Sequence, residues 1–141
     1  MRIVTYGAAC SLDGFIAPPD GSMDWLHFSK DVQDFTAAYW ASIDTMLMGR
    51  KTWEVATRMG GGELAQSLLA AGVIDEVGMN VHPILLGDGV PFFRDPGRRV
   101  HLALNESRVI DGGCVLSTYR VIAAPTSKSR RGRRAAAGSA A

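Results

Sequence analysis

The stretch GGGELAQSLLAAGVIDEVGMNVHPILLGDG, residues 60–89, decides the architecture. Glu63 to Ala71 reads as helix, and Gly72 stands where a helix that ends in a left-handed residue wants a glycine. Val73 to Val81 then reads as a strand with Ile74-Asp75-Glu76 as its lead-in. Pro83-Ile84-Leu85-Leu86 follows, and Gly87-Asp88-Gly89 turns the chain. A helix that delivers the chain into an apolar strand is the building unit of an α/β domain.

The flanks extend this pattern. Ile3 to Cys10 is a compact apolar run with a β-branched start. It is ended by Ser11-Leu12-Asp13-Gly14, after which Phe15-Ile16-Ala17 leads into a Pro18-Pro19-Asp20-Gly21 loop. From Lys30 to Ser42 the residues Val32, Phe35, Ala38, Tyr39 and Ile43 recur at threes and fours, which predicts a helix packed on a sheet. Thr45-Met46-Leu47-Met48 predicts a short strand, Gly49-Arg50-Lys51-Thr52 a turn, and Trp53 to Met59 a further helix. Val100 to Leu104 and Val115 to Val121 alternate as half-buried strands do, and Asp111-Gly112-Gly113 is the turn between the final pair. The order β-α-β-α-α-β-β-β predicts a mixed, mostly parallel sheet flanked by helices and closed by an antiparallel C-terminal hairpin.

Bulk properties narrow the function. A chain of 141 residues makes one domain, assigned to residues 1–122, and the rest forms a tail, residues 123–141. No apolar run approaches the roughly 20 residues of a membrane helix, and the N-terminus reads as a strand instead of a signal peptide, so a cytoplasmic protein is expected. Cys10 and Cys114 are the two cysteines and stand far apart, which supports neither a disulfide framework nor a zinc site. Lys128, Arg130, Arg131, Arg133 and Arg134 hold 5 of the 15 basic residues, leaving ten against fourteen acidic ones and a body near −4. That body has no basic footprint for nucleic acid. The tail from Ser127 onward is small, polar or basic, buries little apolar surface and is expected to be disordered.

Three constellations carry candidate chemistry. Gly49-Arg50-Lys51-Thr52 opens a helix, where backbone N–H groups, a guanidinium and a hydroxyl suit a phosphate; the alternative is a turn with a solvated Arg-Lys pair. Gly60-Gly61-Gly62-Glu63-Leu64 opens another helix with no Cβ atoms in the way of a pyrophosphate. Two such openings in one small domain say more than either alone, because a dinucleotide has several phosphates to hold. Finally, Asp13 could hold or protonate a polar ring and Trp25 could wall off a flat substrate, although Asp13 serving turn backbone and Trp25 serving the core explains the same residues. His27, His82 and His101 show no metal-ligand spacing and read as structural.

Taken together, S-L-D-G-F-I-A, G-R-K-T-W-E, G-G-G-E-L and V-H-P-I-L-L-G-D-G-V-P-F-F resemble the dihydrofolate-reductase-like family that includes the riboflavin-biosynthesis reductase domain. The resemblance covers most of residues 1–122. It implies an NADPH-dependent reductase acting on a small heterocycle, pterin-like or ribosylaminopyrimidinone-like, and working as a homodimer. It implies that Gly49, Arg50, Thr52, Gly61, Gly62, Glu63 and Leu64 hold the cofactor, with Ala9 and Ile16 against the nicotinamide. Asp13, as the catalytic candidate, and Trp25 would face the substrate. The family pattern also has further strands and a loop between the two glycine-bearing helix openings. Here Arg58-Met59 runs straight into Gly60, with no room for one strand of about 5 residues and its connections, so an internal segment is missing.

Overall fold

The computed structural model describes residues 1–50, 68–95 and 97–123. Strand β1 (Thr5–Ser11) and the short β2 (Phe15–Ala17) are followed by helix α1 (Lys30–Ala41). Then come β3 (Glu76–His82), the two-residue β4 (Val90–Pro91), β5 (His101–Ile110), a 3-10 turn at Asp111–Gly113, and β6 (Cys114–Ile122). The main sheet has the order β1-β3-β6-β5, and β2 pairs with β4 in a separate two-stranded ladder. Strand β1 runs parallel to β3, from Thr5 opposite Glu76 to Ser11 opposite His82. The β3–β6 and β5–β6 pairs are antiparallel. The sheet is therefore mixed and closed by the expected C-terminal hairpin. Among the described residues its parallel share is the β1–β3 pair, smaller than a mostly parallel sheet would have.

The helix over residues 30–41 forms where the apolar spacing places it. Ser29 caps its start with its hydroxyl accepting from the Val32 N–H, which satisfies one of the donors a helix start leaves unpaired. Val32 is buried, while the Tyr39 hydroxyl reaches the backbone at Gly7 and the Arg108 guanidinium lies 5.1 Å over the Phe35 ring. The Val32-Phe35-Tyr39 stripe thus faces the sheet. Gly72 ends the helix whose last turn is residues 68–70, with φ +71°; its N–H donates to the Leu69 carbonyl and the Val73 N–H to the Leu68 carbonyl. That bond pair is a Schellman motif, which needs the left-handed residue glycine supplies.

Alternation along the strands separates two faces. On one, Cys10 and Val77 are fully buried and pack with Leu69, Ile74 and Phe92, joined by Tyr6, Ala8, Met79, Val81 and Val121. Burial raises the Cys10 thiol to about 11, so it remains a protonated thiol at neutral pH. Both cysteines are free and buried. The other face presents Gly7, Ala9 and Ser11 of β1 beside Gly78, Asn80 and His82 of β3, and α1 lies over it.

One expected strand is not formed. Thr45–Met48 pairs with no described strand, and Met46 is 44% and Leu47 62% exposed. A strand exists only through its ladder, and among the described residues this tetrapeptide joins none, although the outer edge of β1 is open. The helix expected over Trp53 to Met59 and the tail after Ala123 lie outside the described residues. No helix of the described residues is long and apolar enough to cross a membrane.

Candidate functional site

The carboxyl ends of the parallel pair β1 and β3 gather the polar side chains. In open α/β sheets this is the end at which ligands are held. Ser11 is buried and sits opposite His82; its hydroxyl donates to Asp13 Oδ1 over 2.5 Å and accepts from the Phe15 N–H over 2.9 Å. Asp13 also accepts from the Leu86 N–H (3.1 Å) and the Gly87 N–H (2.7 Å). The Ser11 hydroxyl first, and then the Gly87 and Leu86 amides, hold its carboxyl below the ordinary carboxylate range. Asp13 is therefore an ionised acceptor that ties the turn after β1 to the Ile84–Gly87 loop, a bond pattern reinforced by the Leu12 N–H donating to the Ile84 carbonyl.

An ionised acceptor leaves a signature in pH. Because the folded state lowers its affinity for protons, its contribution is complete above the unfolded value of about 3.9 and is lost as pH falls through the lower folded value. Asp13→Asn is expected to lower the melting temperature at neutral pH and to narrow its drop between neutral and strongly acidic solution. Parallel melting curves for parent and variant with the same pH slope would remove this role.

On the α1 face of the same strand ends lie Trp25, Asn80 and His82. The rings of Trp25 and His82 meet edge to face, with centroids 5.3 Å apart. His82 is 2% exposed, and its Nδ1 lies 3.2 Å from the Asn80 carbonyl. A carbonyl only accepts, so Nδ1 is the donor in this contact. Among the described residues His82 Nε2, Trp25 Nε1 and Asn80 Oδ1 are buried side-chain atoms with no hydrogen-bond partner.

The expected site residues are distributed as follows. Ala9 stands opposite Asn80 in the β1–β3 register, and Ile16 of β2 packs against the core cluster. Trp25 joins His82, and Asp13 joins Ser11 two residues from Ala9. Gly49 is half-buried and Arg50 exposed at the end of the unpaired Thr45–Met48 run. Thr52, Gly61, Gly62, Glu63 and Leu64 lie outside the described residues. Sequence reasoning read His82 as structural and passed over Asn80. The available signal was their position, alternate residues at the end of a strand parallel to β1.

The family model described as the RibD C-terminal domain matches residues 56–116. The uncharacterized protein YyaP of Bacillus subtilis (strain 168) is 33% identical over 179 residues, covering 84% of this chain and 94% of YyaP. The chain belongs to the RibD C-terminal domain family. Among solved structures, a Shewanella sp. PV-4 protein assigned to riboflavin biosynthesis aligns with a TM-score of 0.60 at 20% identity, over 87% of this chain and 100% of that one. The Thermotoga maritima diaminohydroxyphosphoribosylaminopyrimidine deaminase/5-amino-6-(5-phosphoribosylamino)uracil reductase aligns with a TM-score of 0.56 at 12% identity, over 86% of this chain and 57% of that one. These two likenesses are of fold.

The YyaP alignment is longer than the share of this chain that it covers. It runs over 179 residues, yet 84% of a 141-residue chain is about 118, so about 60 positions of YyaP have no counterpart here.

Proposed function

We propose that this chain is an NADPH-dependent reductase of the riboflavin-pathway kind, transferring hydride to a ribosylaminopyrimidinone-like or pterin-like small molecule. The observation that carries the reading is the set of unpartnered buried polar atoms, Trp25 Nε1, His82 Nε2 and Asn80 Oδ1, at the carboxyl ends of the parallel strands of a family member. Buried polar atoms without partners are open to a polar group of a ligand. Bound at this end, the cofactor supplies a hydride from its nicotinamide.

The chain's residues bind, orient and exclude water. Ala9 and Ile16 offer small and apolar surface to a flat ring. Trp25 closes over it from the loop before α1, and Asp13 fixes the loop opposite. Gly49, Arg50 and Thr52, with Gly61, Gly62, Glu63 and Leu64, are assigned to the phosphates. Phosphate held at helix starts gains from the backbone N–H groups and the helix dipole. The working form is a cytoplasmic homodimer that takes a small heterocycle and no nucleic acid.

Titration of the full chain with NADPH and NADH, followed by tryptophan fluorescence, tests the reading. Arg50→Ala is expected to weaken NADPH by about 1–3 kcal/mol, the value of a charge-assisted hydrogen bond. Unchanged affinity removes Arg50 from the site, and no response to either dinucleotide removes the reductase reading. A second reading, a non-catalytic remnant or homodimeric binding protein of the same fold, is favoured by the roughly 60 positions absent relative to YyaP. It expects no hydride transfer to any heterocycle.

A further inference from the structure

The edge strands of a sheet present backbone N–H and C=O groups that either find a partner or are guarded against one. Among the described residues the order β1-β3-β6-β5 puts β1 at one edge and β5 at the other. Strand β5 is guarded. Its ladder with β6 is irregular between Leu104 and Glu106, and Glu106 and Arg108 place charge on it. Irregular pairing and charged side chains keep an edge strand from templating another chain. Strand β1, Thr-Tyr-Gly-Ala-Ala-Cys-Ser, has no charged residue, no proline and an unbroken register with β3. Its outer edge is an unguarded template.

Thr45–Met48 offers what that edge lacks. Its four residues are uncharged, Met46 and Leu47 are exposed, and no turn or ladder hydrogen bond among the described residues involves it. One helix carries it to β1. The Tyr39 hydroxyl of α1 lies 3.6 Å from where a Cβ of Gly7 would stand, and the Ile43 N–H donates to the Trp40 carbonyl, so Asp44 alone links that last turn to Thr45. The segment therefore leaves the end of α1 that lies over β1. Resting on the homodimer of the reading above, we propose that Thr45–Met48 of a second copy adds as a strand to the outer edge of β1, and that the exchange is reciprocal. Each copy supplies one edge and one segment, so two exchanges close a two-fold dimer. Side chains alternate along a strand, so Met46 and Met48 fall on one face of the extended sheet and Leu47 on the other. Pairing β1 with the β1 of a second copy would cover both edges but leave Met46 and Leu47 in water.

Light scattering over a dilution series of the full chain, beside Leu47→Pro, tests the exchange. Proline removes a ladder N–H, and at an exposed position outside any ladder of its own copy it is expected to leave the melting temperature of the dilute monomer unchanged. It is expected to raise the dimer dissociation constant about 100-fold, which is about tenfold for one hydrogen bond at each of the two sites. Leu47→Lys puts charge on the added strand and is expected to weaken the dimer likewise if Leu47→Pro fails to fold. Val109→Lys, at an exposed position of β5, is expected to leave the dimer intact. In NMR of a mixture of isotope-labelled and unlabelled copies, contacts between copies are expected from Thr45–Met48 to β1. A parent that stays monomeric, a dimer that Leu47→Pro leaves intact or a dimer that Val109→Lys dissolves overturns the exchange, as do contacts of β1 with β1 or of β5 with β5. NADPH binding by a monomer overturns the exchange and leaves the reductase reading standing. A dimer with the expected contacts and no response to NADPH or NADH overturns the reductase reading alone.

Discussion

Gly89→Ala is expected to destabilise the protein by about 3 kcal/mol or more and to lower its melting temperature by roughly 10 °C or more. Gly89 has φ +141°, a conformation that side chains rarely adopt, and a Cβ built there would run into the Ala17 carbonyl and approach the Pro18 Cα. These neighbours are backbone, so no rotamer change relieves the contact. Ala17 pairs with Val90, next in sequence to Gly89, so relief would open the β2–β4 ladder. That ladder leads directly to Phe92, a core residue whose N–H donates to the Gly14 carbonyl and whose carbonyl accepts from the Tyr6 hydroxyl. Gly87→Ala is the control. Its φ is +79° but nothing lies within 4 Å of its Cβ, so only the backbone penalty of about 1 kcal/mol is expected. Equal losses in urea unfolding for the two variants would show that the close approach at Ala17 is absent.

The turns were legible in the sequence because their chemistry is local. Gly72 and Asp111-Gly112-Gly113 mark where the second described helix ends and where the hairpin turns, and each does so through residues within a few positions. Strand ends were less legible. β5 runs on to Ile110, past the alternation that stops at Leu104, because residues beyond the Leu104/Glu106 irregularity are exposed on an edge strand and carry little hydrophobic pattern. β4 has two residues and leaves no periodicity at all. Thr45–Met48 misled for the opposite reason. Its apolar pattern is that of a buried strand, and the pattern cannot report whether a partner edge is present.

The site divides in the same way. Asp13 was conspicuous as part of a turn motif, and its structural surroundings are those of a turn anchor, two carboxylate oxygens shared among a hydroxyl and two amides. His82 and Asn80 had no motif, because what distinguishes them is a cross-strand register with Ser11 and Ala9 about 70 residues earlier in the chain. The residues proposed to hold phosphate were chosen by helix-start chemistry, which is local, but their mutual spacing is not.

That spacing governs the largest functional effect. With NADPH and either dihydrofolate or 5-amino-6-(5-phosphoribosylamino)uracil, turnover is expected to fall at least about 100-fold below that of an intact reductase of the family, while NADPH binding persists weakly. The sequence expects Gly49 to Thr52 and Gly60 to Gly62 each to open a helix, and a helix start attracts phosphate. In relatives such as YyaP about 60 further positions lie within the aligned span, and we place them at the Met59–Gly60 junction. The proposed loss of those positions would leave the two expected half-sites without the strand that fixes their separation. Binding tolerates such looseness, but hydride transfer does not, since a misplacement of about 1 Å costs on the order of 100-fold in rate. Unpaired edge groups seek partners, so light scattering is expected to report a dimer or larger species. Grafting the YyaP segment between Met59 and Gly60 should restore tighter NADPH binding and draw Thr45–Met48 into protected amide exchange. A monodisperse monomer that binds NADPH at micromolar concentration and turns over briskly without the graft would show that this chain fixes its cofactor by other residues.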